Sequence, residues 1–304
     1  MKAIDLFAGG GGFTEGAQQA GCEVVWAANH WPAAVATHAL NHPHTEHACQ
    51  DLQQADWSRL PAFDLLLASP ACQGHTHARG KERPHHDATR STAWAVVSAL
   101  ESCSPDFALI ENVPEYMQWR LFPAWCAAVT ALGYAISPHL VDAADFGVPQ
   151  HRVRVFIALT KSKHPIQLQL PPQDHVPASS FIDFTAGSWT PIERPGRAAA
   201  TLARIEAGRA AFGDRFIAPY FGSGSGLTGR SLARPIGSIT TRDRWAVVDG
   251  DRMRMLTVDE GRAAMGFPST YQLPSNKRDA MQMLGNAVCP PKARAIITAL
   301  REAA

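Results

Sequence analysis

A cysteine on a loop just beyond an apolar strand is placed for nucleophilic attack, and Leu65-Leu66-Leu67-Ala68-Ser69-Pro70-Ala71-Cys72 has that form. A purely structural cysteine more often lies inside the strand. Glu111 follows a second apolar run, Phe107-Ala108-Leu109-Ile110, so its carboxyl is expected against an apolar wall, where its pKa rises and it can donate a proton. A helix-capping or salt-bridged glutamate reads the same way. In Gln150-His151-Arg152-Val153-Arg154, strand alternation puts Gln150, Arg152 and Arg154 on one face, and two parallel guanidinium groups form a clamp for an anion or a carbonyl. An exposed edge strand has the same pattern.

The first apolar strand runs into Phe7-Ala8-Gly9-Gly10-Gly11-Gly12-Phe13, a turn whose missing side chains let backbone amides approach a ligand at the start of a helix. Thr14 stands where the dinucleotide fingerprint has its third glycine, and Ala17 follows Gly16 where a P-loop has lysine. A ligand whose anionic end is a carboxylate, such as S-adenosylmethionine, remains open, and so does a tight turn with no ligand. Cys72, His75, His77, His85 and His86 fit no standard zinc spacing, so no metal is expected.

These residues need a frame that brings them together. The first half of the chain alternates short apolar runs with amphipathic stretches, the pattern of an α/β domain with a largely parallel sheet. Strands are expected at Lys2 to Phe7, Glu23 to Ala28, Asp64 to Ala68, Phe107 to Ile110 and Val153 to Leu159. Helices are expected at Phe13 to Ala20, Trp31 to Asn41, Thr92 to Ser102 and Pro123 to Leu132. In such sheets ligands bind at the carboxyl ends of the strands, where every candidate above falls. From about Lys161, prolines at 165, 171, 172, 177, 191 and 195 break the periodicity and glycines crowd Gly222 to Gly229, which predicts a smaller, loop-rich second domain. Helical spacing returns over Thr257 to Met265, Asn276 to Leu284 and Pro291 to Leu300. The expected division is a catalytic and cofactor-binding domain over 1–163, completed by 278–304, around a small domain over 164–277.

The 304 residues suffice for a sizeable core, and they hold no repeat, no low-complexity tract and no apolar run long enough to span a membrane. The amino terminus lacks the pattern of an export signal, so a cytoplasmic location is expected, with the six cysteines reduced and none in a Cys-x-x-Cys pair. A formal net charge of +1 does not by itself call for a polyanion. A nucleic acid would have to meet local basic stretches, either Arg79, Lys81, Arg83 and Arg90 or the set Arg230, Arg234, Arg242, Arg244, Arg252 and Arg254.

Taken in series, the glycine-rich opening, the Cys72-Gln73 segment, Glu111-Asn112-Val113, the Gln-x-Arg-x-Arg segment, Arg234-Pro235-Ile236-Gly237-Ser238-Ile239-Thr240-Thr241 and Gly285-Asn286-Ala287-Val288 resemble the DNA cytosine-5 methyltransferase family of bacterial or phage type over nearly the whole chain. The resemblance implies a Rossmann-like class I methyltransferase sheet with a smaller target-recognition domain. It implies an S-adenosylmethionine-dependent enzyme, releasing S-adenosylhomocysteine, that methylates carbon 5 of a cytosine flipped out of duplex DNA. Cys72 is then the covalent nucleophile at carbon 6, Glu111 the acid at ring nitrogen 3, and Arg152 or Arg154 the support for the carbonyl oxygen. Asn112 would brace the Cys72 loop.

On the same resemblance the cofactor residues are Phe7, Ala8, Gly9, Gly11, His30, Trp31, Asp51, Leu52, Pro70, Asn286 and Val288, and the DNA contacts are Gln73, Arg79, Lys81, Arg83 and Arg90. A monomer is expected, with a companion restriction endonuclease where the protein serves a restriction-modification system. Three positions depart from the family pattern: Ala71 stands where proline usually precedes the cysteine, Asn29-His30 where an acidic residue usually holds the ribose, and His75-Thr76 where Phe and Ser are commoner. The rival readings are a tRNA cytosine-5 methyltransferase of the same fold and a catalytically silent DNA-binding relative.

Overall fold

The computed structural model describes residues 1–71, 91–220, 229–242 and 244–303. The chain divides into two compact units, one of Met1–Asp142, Val153–Pro171 and Ala287–Ala304, the other of Ala143–Arg152 and Pro172–Asn286.

The first unit is built on β1 (Lys2–Leu6), β2 (Glu23–Asn29), β3 (Glu46–Cys49), β4 (Leu65–Ala68), β5 (Phe107–Asn112), β6 (Ala135–Asp142) and β8 (Val153–Thr160), in the sheet order β3-β2-β1-β4-β5-β8-β6. From β3 to β5 every pair is parallel, while β8 runs antiparallel to both β5 and β6. The α/β class with a largely parallel sheet is thus the observed one. Its central strands read as unbroken apolar runs because both faces are covered. Leu65, Leu66, Leu67, Ala68, Ala108, Leu109 and Ile110 have no solvent exposure, and the same holds for Ala3, Ile4 and Leu6. The antiparallel entry of β8 has a consequence for chemistry: it begins at the edge where β1, β4 and β5 end.

Among the described residues, the helices of this unit are α1 (Gly12–Gln19), α2 (Pro32–Asn41), α3 (Thr92–Cys103), α4 (Phe122–Ala131) and, from the returning chain, α8 (Pro290–Ala303). All five occupy segments whose apolar spacing predicts helix. Gly16 lets α8 lie against α1, since a Cβ there would stand 2.5 Å from the Ala293 Cβ and 2.7 Å from the Pro290 carbonyl oxygen. Two strands escape the sequence reading. Burial in β3 is only partial and shows no alternation, and β6 carries Pro138 in its middle with mostly half-exposed neighbours.

In the second unit β10 (Arg215–Pro219), β12 (Trp245–Asp249), β13 (Arg252–Met255) and β9 (Thr190–Pro191) form an antiparallel sheet in that order, and β7 (Gln150–His151) pairs with β11 (Ile236–Gly237). Its helices are α5 (Ala199–Phe212), α6 (Val258–Ala264) and α7 (Lys277–Asn286). The loop-rich region expected here therefore contains a helix of 14 residues, α5, whose six alanines favour that conformation. Ile205 of α5 joins Ile192, Phe216, Ala218, Ala246, Val248 and Met253 in a separate small core.

The expected boundaries shift in three places, the first being residues 164–171, which stay with the first unit. Helix α7 stays with the second unit, where Met281 and Leu284 crowd Gly261 of α6 and Lys277 Nζ donates to the Leu256 carbonyl at 2.8 Å. Residues 143–152 go with that unit too, because the Gln150 side chain accepts from the Ile239 amide at 2.8 Å and donates to the Ala264 carbonyl at 2.6 Å.

The second basic stretch is partly spent inside this unit. Arg254 is buried and holds Glu260 through both of its terminal nitrogens, at 2.7 and 2.6 Å, while Arg215 and Arg252 share Asp249 at 2.8 and 2.6 Å. Thr257 and Glu260 also close a capping box at the start of α6. Arg254 thus serves packing and has no charge left over for a polyanion.

Candidate active site

Four neighbouring strand ends of the first unit carry nine of the eleven candidate cofactor residues. After β1 the backbone of Phe7, Gly9 and Gly11 takes positive φ values of 60°, 55° and 90°. For Phe7 that conformation is strained, and for the glycines it is free. The turn delivers the chain to α1 through Gly11, an N-cap residue with no side chain to cap the helix. Ala8 lies in the same turn.

After β2, the Trp31 amide donates to Asn29 Oδ1 at 2.9 Å and Pro32 opens α2, so Trp31 is half-buried at the helix start and His30 is exposed beside it. After β3, Asp51 is exposed and caps a short turn by accepting from the Gln53 amide at 3.0 Å, with Leu52 buried next to it. After β4 comes buried Pro70. An uncapped helix start, a flat aromatic and an exposed carboxylate make a donor set that suits a ligand with a carboxylate at one end and a purine at the other. Val288 is buried in the first unit at the approach to α8, whereas Asn286 is the exposed last residue of α7 in the second.

The ends of β4 and β5 are tied together. Asn112 Nδ2 donates to the Pro70 carbonyl at 3.0 Å, and the Ala71 amide donates to Thr92 Oγ1 at 3.1 Å. Cys72 is the next residue in the chain. Glu111, one residue before Asn112, is 7 % exposed. The β5/β8 register sets Glu111 opposite Phe156, so Arg154 is its diagonal neighbour on the same face, with Nε 3.3 Å from Glu111 Oε1. The carboxyl expected beside an apolar wall therefore has a cationic partner as well.

Glu111, with a guanidinium beside it, thus stands at the end of the strand next to the one that leads to Cys72, two strands from the turn after β1. The family described as C-5 cytosine-specific DNA methylase matches residues 1–191 and 213–302. The chain belongs to that family. The methylase is 28% identical to the Type II methyltransferase M.NlaX of Neisseria lactamica over 314 residues, covering 100% of this chain and 97% of the relative. It is also 28% identical to the Type II methyltransferase M.HgiDI of Herpetosiphon aurantiacus, covering 95% and 90%. Its fold is shared with the Entamoeba histolytica methyltransferase EhMeth, at a TM-score of 0.70, 16% identity and coverage of 99% and 98%.

Within the methylase, the structure separates the two arginines that alternation had paired. Arg152 is 2 % exposed and sits in the second unit, where its terminal nitrogens donate to the Ile239 carbonyl at 3.0 Å and the Gly285 carbonyl at 2.9 Å. Arg154 is the one that pairs with Glu111 among the described contacts. The expected two-guanidinium clamp is thereby corrected: β7 and β8 are separate strands in separate units, and Arg152 braces the Ile239 segment. Cys72, Gln73, Arg79, Lys81, Arg83 and Arg90 lie outside the described residues.

One buried network supports the turn after β1 and was not singled out from the sequence. Asp5 of β1, wholly buried, accepts from the Thr14 hydroxyl at 2.8 Å; Thr14 Oγ1 lies 3.0 Å from His38 Nε2, and His38 Nδ1 lies 2.8 Å from His47 Nε2. The signal was present, since Asp5 is the one charge inside an apolar strand, but its partners come from three other elements. Burial, partly offset by the Thr14 hydrogen bonds, pushes the Asp5 carboxyl up from 3.8 to about 7. Burial also lowers His38 and takes His42 down to about 4.

A raised carboxyl contributes stability that is complete below its unfolded pKa and is lost as the pH climbs through the folded value. Asparagine at position 5 does not titrate, and the histidines are common to both proteins. The stability of the parent relative to Asp5→Asn should therefore fall between about pH 4 and pH 7, by on the order of 4 kcal/mol for a shift of this size. Urea unfolding of both proteins across that range measures it. A constant difference would contradict the assignment.

Proposed function

We propose that this methylase moves a methyl group from S-adenosylmethionine to carbon 5 of a cytosine turned out of duplex DNA, through a covalent bond between Cys72 and carbon 6. The observation that supports this most directly is the hydrogen bond from Asn112 to the Pro70 carbonyl, which joins the strand end bearing Glu111 to the peptide that precedes Cys72. Family membership supplies the substrate class.

Cys72, as thiolate, adds to carbon 6 of the ring. Glu111 meets the negative charge that then develops at nitrogen 3, and Arg154 holds both the Glu111 carboxyl and the neighbouring carbonyl oxygen of the base. S-adenosylmethionine, when bound, supplies an electrophilic methyl group on sulfonium and leaves as S-adenosylhomocysteine. Loss of the carbon 5 proton to water then expels Cys72. The residues that would hold the donor are Phe7, Ala8, Gly9 and Gly11 at its carboxylate end and Trp31 and Asp51 at its adenine, with His30, Leu52, Pro70 and Val288 completing the set; the resemblance also assigns Asn286. Gln73, Arg79, Lys81, Arg83 and Arg90 contact the DNA, and the span from Lys161 to Arg234 reads the target sequence. Relatives named as Type II methyltransferases support a restriction-modification setting with a companion endonuclease.

Incubation with labelled S-adenosylmethionine and either duplex DNA or tRNA, followed by base-resolved mapping, tests the reading. The expected product is 5-methylcytosine in duplex DNA, together with a trapped adduct on 5-fluorocytosine duplex. Label confined to tRNA would transfer the activity to the RNA-directed class.

A further inference from the structure

The peptide bond between Pro70 and Ala71 is engaged at both polar ends. Its carbonyl accepts from Asn112 Nδ2 at 3.0 Å, and its amide donates to Thr92 Oγ1 at 3.1 Å. The two side chains come from different elements, the end of β5 and the first turn of α3. One residue earlier, the Ser69 amide donates to the Leu6 carbonyl of β1 at 3.1 Å. The chain is thus fastened at three successive residues, to β1, β5 and α3, just before Cys72.

A rigid peptide plane held by both its oxygen and its nitrogen cannot turn about its flanking bonds without losing one partner. The importance of the second hold follows from the residue type at 71. Proline there would fix φ by its ring and would have no N–H to give. Alanine leaves φ free and has an N–H, and that N–H is the one Thr92 receives.

At the start of α3 the hydroxyls bond outside the helix. Ser91 occupies the N-cap position but makes no capping hydrogen bond with its side chain; its Oγ donates to Gln53 Oε1 at 2.7 Å. A serine cap ordinarily stabilises a helix by about 1 kcal/mol, which is forgone here. Thr92, the first helical residue, points its oxygen at the loop instead.

We propose that Thr92 is a positioning residue for Cys72: its hydroxyl fixes the Ala71 amide and so aims the thiol, replacing the restraint that a proline ring at 71 would give. This rests on the reading of Cys72 as nucleophile. Thr92 touches neither base nor donor, so its effect belongs in the rate of the chemical step.

Thr92→Val keeps the shape and removes the acceptor. At saturating donor and DNA the single-turnover rate should fall about tenfold, the scale of one hydrogen bond's worth of alignment, while the KM values for donor and DNA and the melting temperature stay near those of the parent. Thr92→Ser should restore the rate. In an Ala71→Pro background, which has no amide hydrogen at that position, adding Thr92→Val should cost nothing more.

A Thr92→Val protein as fast as the parent overturns the proposal, as does a loss that serine does not repair. A penalty of equal size with Ala71→Pro overturns it too. If Ala71→Pro does not fold, the valine and serine pair decides alone. Trapping on 5-fluorocytosine duplex separates the two readings: a parent that forms no adduct removes the Cys72 mechanism, whereas a parent and a Thr92→Val protein that trap equally fast remove only the role of Thr92.

Discussion

Serine at position 72 should lower methyl transfer by roughly 10,000-fold or more, the scale on which removing a covalent nucleophile acts. The oxygen differs from sulfur in one decisive respect, its acidity. A thiol is partly ionised near neutral pH and its anion is a strong nucleophile, whereas a serine hydroxyl needs a general base to attack at all. Asn112 and Thr92 hold the backbone of Pro70 and Ala71, just before position 72. The thiols of Cys22, Cys103 and Cys126 are each pushed up by burial. Donor binding, measured by calorimetry, should be unchanged, because the turn after β1 and the ends of β2 and β3 are untouched. Comparable methyl incorporation by parent and Cys72→Ser would end the covalent mechanism.

Glu111→Gln should cost roughly 100- to 10,000-fold in the same assay, the range typical of a general acid. Glutamine fills the same volume and still offers hydrogen bonds, so packing at the end of β5 survives. What it cannot do is hand over a proton or carry the charge that Arg154 faces at 3.3 Å. The loss should appear in the maximal rate and in the speed of adduct trapping, with DNA affinity little changed. A variant that traps 5-fluorocytosine as fast as the parent would show that Glu111 serves only to hold Arg154.

Much of the frame was legible in the chain. Strands buried on both faces write themselves as apolar runs, so β1, β4, β5 and β8 could be read from composition, and each candidate at a strand end, Cys72 after β4 and Glu111 at the end of β5, followed from them. Half-buried elements leave no such record. The 4-residue β3 and the proline-bearing β6 went unread, and so did α5, hidden among prolines that lie outside it.

Local sequence determined which chemical groups exist and which element carries each. Only the tertiary structure decided which of them meet. Arg152 and Arg154 are equivalent by alternation, yet one donates to carbonyls 87 and 133 residues away while the other faces Glu111. By sequence Ala71 is only an alanine where proline is usual, and Thr92, 21 residues on, is found to hold its amide. The physical reason is that burial preference is a property of each residue and its near neighbours, which periodicity records. A hydrogen bond's partner depends on how distant segments are threaded, and no local pattern carries that information.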